Sequence, residues 1–159
     1  EIFEESAKDG NEVNKIEIPV IFEDYENSSS DWKTYRNDEY GFEFKYPQGY
    51  TAMPNSPNNN KSIEIKSSTI YPHEILNKLV SASINISIGG ASDYKTYTKK
   101  EAVYVNGVKS VQYINIDYRG YTRTFVPFEN EKYIEVHNLQ DYYPEHNKVY
   151  DGILKTLKF

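Results

Sequence analysis

At 159 residues the chain has the length of one domain, enough to bury a core without disulfides or metals. Its net charge of −6, from 24 acidic against 18 basic side chains, offers no basic face to neutralise phosphates and argues against a nucleic-acid partner. The lack of cysteine excludes disulfides and thiolate metal sites, and no apolar run approaches the length of a membrane span.

Residues 1–14 are polar and without period, which reads as a tether. The acidic excess is partly local: Glu4, Glu5, Asp9, Glu12, Glu17, Glu23, Asp24 and Glu26 all precede the run Ser28-Ser29-Ser30. The first residue is not Met, as expected of a processed or trimmed product with a targeting segment upstream. In residues 15–22, Ile16, Ile18, Val20 and Phe22 share one face of a strand-like run. Pro19 cannot donate to a ladder, so this is an edge strand or an extended arm. It has two fates: adding to the domain's own sheet, or pairing with a neighbouring copy. Asn27-Ser28-Ser29-Ser30 is a polar joint, so residues 1–31 divide off as a tether or arm and residues 32–159 form the globular domain.

The domain opens with Trp32, expected at the rim of the core, and with Tyr40-Gly41-Phe42-Glu43-Phe44-Lys45-Tyr46-Pro47. Phe42, Phe44 and Tyr46 alternate with Glu43 and Lys45, the period of a half-buried strand. Pro47 ends it and Gln48-Gly49 turns the chain. Residues 54–61, rich in Asn, Ser and Pro, predict an irregular loop. Residues 62–68 alternate again around Ile63 and Ile65, and residues 71–79 predict a short helical piece begun at Pro72. Residues 80–88 form a strand with Ile84, Ile86 and Ile88 on one side, stopped by Gly89-Gly90. Residues 91–100 are ambiguous between loop and short helix.

From residue 101 the pattern predicts a four-stranded antiparallel meander. Its strands are 102–105, 108–118, 121–128 and 133–139, joined at Asn106-Gly107, Arg119-Gly120 and residues 129–132. Asn106-Gly107 is the strongest of these hairpin signals, because both central positions need positive φ. A C-terminal helix covers the sheet: Pro144 suits its first turn, Glu145 its dipole, and Val149, Tyr150, Ile153, Leu154 and Leu157 form one apolar stripe. Burying the four aliphatic members contributes about 6–12 kcal/mol gross, at about 1.5–3 kcal/mol each. The fold class is therefore α+β, a central antiparallel sheet packed by a C-terminal helix.

Two motifs at the domain's ends, Trp32-Lys33-Thr34-Tyr35 with Tyr40-Gly41-Phe42-Glu43-Phe44-Lys45-Tyr46-Pro47, and Ile153-Leu154-Lys155-Thr156-Leu157-Lys158-Phe159, resemble the PsbP-like superfamily of exported bacterial proteins and lipoproteins. The namesake of that superfamily is an extrinsic protein of photosystem II. The resemblance implies a central sheet flanked by helices, an α/β/α sandwich. It also implies an extracytoplasmic place, with the membrane reached only through a lost N-terminal anchor. It implies a scaffold or assembly role rather than catalysis, and no cofactor. The chain departs from the pattern between Tyr50 and Lys61, where a helix should follow the Pro-turn.

Chemistry is sparse. There is no Gly-x-Ser-x-Gly elbow and no phosphate-binding glycine motif, and the three histidines are far apart in sequence. His137, Asp141, Glu145 and His146 are near in sequence and could converge at one sheet end as a metal site for zinc or manganese. Each also has a plain role as turn-former, dipole partner or solvated rim. Sixteen tyrosines admit two readings: amphipathic strand residues, or an aromatic binding surface. On the second, the anchors are Tyr113, Tyr118, Tyr121, Tyr133, Tyr142 and Tyr143. Three functions follow as expectations. The first is a non-catalytic extracytoplasmic module that binds a protein or cell-surface polymer. The second is a metal-binding protein or metal-dependent enzyme using the histidine cluster, and the third is self-association through residues 15–22.

Overall fold

The computed structural model describes residues 31–73, 78–90, 99–115, 121–129, 131–139 and 144–159. Where residues alternate apolar and polar they form strands, and the described strands assemble into two sheets. The smaller is the hairpin of β1 (Lys33–Asn37) and β2 (Phe42–Tyr46). Its turn is set by Asn37, whose side-chain oxygen accepts from the Tyr40 amide at 3.1 Å, and by Gly41 at φ 70°.

The larger sheet has seven antiparallel strands in the order β3-β4-β5-β9-β8-β7-β6. These are β3 (Tyr50–Ser56), β4 (Asn59–His73), β5 (Lys78–Gly89), β6 (Lys99–Val105), β7 (Val108–Asn115), β8 (Tyr121–Pro127) and β9 (Tyr133–Asn138). It is two meanders joined side by side, with β5 of the first paired to β9 of the second. The predicted meander is present, and Asn106 and Gly107 take φ of 49° and 80°, as its hairpin requires.

Two expectations fail in the first meander. Residues 54–61 are not an irregular loop: β3 and β4 pair through Ala52↔Ile65 and Pro54↔Ile63 and turn tightly between Ser56 and Asn59. Pro54 is tolerated because β3 is the outermost described strand, where its missing donor is not needed. Residues 71–73 and 78–79 are not helical, since they pair β4 with β5 at Tyr71↔Val80, Pro72↔Leu79 and His73↔Lys78. The arm at residues 15–22, the segment 91–98 and the turn at Arg119-Gly120 lie outside the described residues.

The helix α1 (Pro144–Thr156) and the β1–β2 hairpin form the second layer, side by side on one face of the large sheet. Their apolar residues enter one core: Phe42, Phe44, Ile153 and Leu157 pack with Ile63, Ile65, Ile84, Ile86, Ile134 and Val136. Trp32 is partly buried at the rim of this core. After the helix, Lys158 pairs with Glu43 as an antiparallel bridge, each amide donating to the other's carbonyl at 2.9 Å. The Thr156 hydroxyl accepts from the Lys45 amide at 2.9 Å. The two ends of the domain are thereby hydrogen-bonded to each other. Of the two helical layers implied by the family resemblance, the described residues supply one.

Ile153 is wholly buried, so Ile153→Asp places an unpaired carboxylate in this core. It should cost about 4 kcal/mol or more and abolish the cooperative melt followed by circular dichroism at 222 nm. A soluble variant melting near the wild type would contradict this packing.

Candidate binding cleft

Beneath α1 the sheet carries two polar chains, both hydrogen-bonded. In the first, the Val136 carbonyl can only accept, so the Tyr150 hydroxyl donates to it at 3.0 Å. Thr124 then donates to Tyr150 at 2.6 Å, and the Gln112 amide donates to Thr124 at 2.9 Å. Burial raises the Tyr150 pKa and keeps the phenol neutral.

In the second, His146 Nε2 lies 3.3 Å from the Ser83 carbonyl and must donate to it. Its Nδ1 is then the acceptor for the Tyr50 hydroxyl at 2.9 Å, and the two rings stack at 5.9 Å. Burial lowers the His146 pKa to about 4, against the raising effect of the Ser83 hydrogen bond.

His137 lies on the opposite face of the sheet. The register there puts Asn85, His137, Arg123 and Tyr113 in one cross-strand row, while Val136 and Ile134 face the helix. Burial and the neighbouring Arg123 guanidinium lower the His137 pKa to about 3. The described members of the expected metal set are not brought together. The sheet separates His137 from His146, both nitrogens of His146 are engaged, Glu145 is exposed, and Asp141 lies outside the described residues. Among the described residues no three His, Asp or Glu side chains are grouped to hold an ion.

The aromatic anchors fare unevenly. Tyr113 is only 6% exposed, packed edge-on against Phe125 at 5.8 Å with the Lys100 ammonium over its ring at 5.3 Å, so it is a packing residue. Tyr133 is half-buried against Phe125. Tyr121 begins β8, and Tyr118, Tyr142 and Tyr143 fall outside the described residues.

The site that sequence reading missed lies where the second layer stops short of the outer strands. A cleft of about 410 Å³ opens between α1 and the β6–β7 hairpin. It is lined by Val103, Tyr104, Val105 and Asn106 of the hairpin, Gln112 of β7, and Asp151, Leu154 and Lys155 of the helix. Val103 and Val105 are buried and make an apolar floor. Asp151 is half-buried, makes no hydrogen bond or ion pair among the described residues, and is pushed up to about 6 by burial. A depression of about 310 Å³ lies near Arg36, Glu43 and Lys158, and there Arg36 and Glu43 are paired at 2.8 Å.

A seven-stranded antiparallel sheet with a hairpin and a C-terminal helix on one face is a PsbP-like α+β fold. The solution structure of cyanobacterial PsbP (CyanoP) from Synechocystis sp. PCC 6803 is similar, with a TM-score of 0.50 over 80% of this chain and 92% of that one, at 11% sequence identity. No protein-family model and no curated protein sequence matches the chain.

The buried groups set the pH dependence of stability. Both imidazoles have folded pKa values below the ordinary 6.5, so the stability they confer is complete above pH 6.5 and drains away as pH falls toward 4 and 3. Each should withdraw on the order of 2–3 kcal/mol between pH 7 and pH 4. Asp151 acts oppositely: with its pKa raised, ionisation strains the fold above about pH 6. Asp151→Asn should therefore stabilise by about 1–2 kcal/mol at pH 7 and change little at pH 4, making the acid loss steeper. Urea unfolding of wild type and variant at the two pH values measures both effects.

Proposed function

We propose that the domain is a non-catalytic binding or scaffold module that works outside the cytoplasm and docks on a protein or surface polymer. The observation that carries this reading is the cleft beside α1, lined by a half-buried carboxylate that has no hydrogen bond or ion pair among the described residues. An occupant would supply the partner that this carboxylate lacks. Of the described histidine side chains, His137 and His146 are buried, and the hydrogen bonds of His146 occupy both of its nitrogens. The PsbP-like fold and the motif resemblance support a scaffold role and an extracytoplasmic place. Among the described residues no helix is long and apolar enough to cross a membrane.

Affinity capture on the immobilised full chain, wild type beside Asp151→Asn, tests the reading together with a turnover screen on ester, phosphoester, glycoside and peptide substrates. A saturable protein or polymer partner that Asp151→Asn weakens about tenfold or more is the expected result. Turnover abolished by Asp151→Asn, or no partner retained by the wild type, would overturn it.

A further inference from the structure

We propose that the cleft between α1 and the β6–β7 hairpin receives a lysine or arginine side chain, presented by an extended segment of a partner protein, with Asp151 as its counter-ion. This deepens the binding-module reading and rests on it. The carboxylates of Glu43, Glu101 and Glu135 each have a cation, in Arg36, Lys99 and Arg123 respectively. Asp151 has none among the described residues, although it lines a cavity large enough for a guest. Desolvation penalises an ionised carboxylate most where nothing compensates it, and an incoming ammonium or guanidinium supplies that compensation.

The walls match the rest of such a side chain. Val103, Val105 and Leu154 offer an apolar channel for a methylene stem, as long basic side chains require. Gln112 is oriented by donating to Thr124, and its amide oxygen is an acceptor of the kind a cation needs. At about 410 Å³ the cleft is at the small end of ligand pockets, which run from about 300 to 1,000 Å³, and takes one long side chain with its flanking backbone. β6 is the last strand on this side of the described sheet, so an extended segment can lie along it by strand addition. Lys155 lines the same cleft and opposes a cation, which makes it a sharp control.

The probe is a set of capped hexapeptides, alternating valine and threonine around a central lysine, arginine, norleucine or glutamate, titrated into the full chain by NMR. Lysine and arginine peptides should bind at least about tenfold tighter than the norleucine and glutamate peptides, and should lower the titration midpoint of the Asp151 carboxyl. Asp151→Asn, which is expected to fold at least as stably as wild type, should erase the preference, and Lys155→Ala should tighten the lysine peptide. Equal affinity for lysine and norleucine, preference for glutamate lost in Lys155→Ala, or no saturable binding of any peptide would overturn the cationic occupant. Cleavage of a peptide would instead overturn the binding-module reading itself.

Discussion

The antiparallel bridge between Glu43 and Lys158 joins residues 115 positions apart and holds the second layer of the molecule together. A sheet of seven strands is about 29 Å across its six inter-strand spacings, whereas one helix with its side chains covers only about 10–12 Å. α1 alone would leave most of the apolar face wet. The β1–β2 hairpin adds about another 10 Å, and the Lys158 bridge with the Thr156–Lys45 hydrogen bond fixes hairpin and helix as one roof. That roof reaches about 20–22 Å, so about two strands extend past it. The cleft at β6 and β7 is the geometric remainder of this mismatch.

Beneath the roof, polarity is accepted only where it is satisfied. Tyr150 and His146 both lie under the helix, and each hydroxyl or imidazole nitrogen has a partner whose donor or acceptor role is dictated by a backbone carbonyl at the end of the chain. Such closed chains fix how α1 sits on the sheet, because sliding the helix would strand several buried polar atoms at once. They also hold both groups neutral. Asp151, one residue past Tyr150, has the opposite character: it lies at the edge of the same polar region, carries a charge at neutral pH, and has no partner among the described residues.

Much of this architecture was legible in the residue pattern. The alternation around Phe42 and Phe44, the three isoleucines of β5, the Asn106-Gly107 turn and the stripe from Val149 to Leu157 each state a face and a period, and each packs as stated. The β3–β4 hairpin was not legible, because its order comes from hydrogen bonds that composition conceals. Asn55 donates to the Ser62 hydroxyl, Asn37 donates to the Asn60 carbonyl, and Asn60 donates to Glu39. A run of Asn, Ser and Pro looks like a loop until those partners are placed beside it. The separation of the two histidines was hidden for a related reason. Nearness in sequence on a strand says nothing about which side of the sheet a residue faces, and His137 and His146 fall on different sides.

The cleft was invisible in sequence because its defining property belongs to no single segment. Asp151 flanks the apolar stripe, where a charged residue is ordinarily solvated, and only the overhang of β6 and β7 removes part of its water. The fold similarity to cyanobacterial PsbP at 11% identity shows that one architecture is compatible with very different sequences. The features that individualise this chain should then lie where its roof ends. The sequence is free to vary there without opening the core, and the half-buried carboxylate of this molecule stands at that margin.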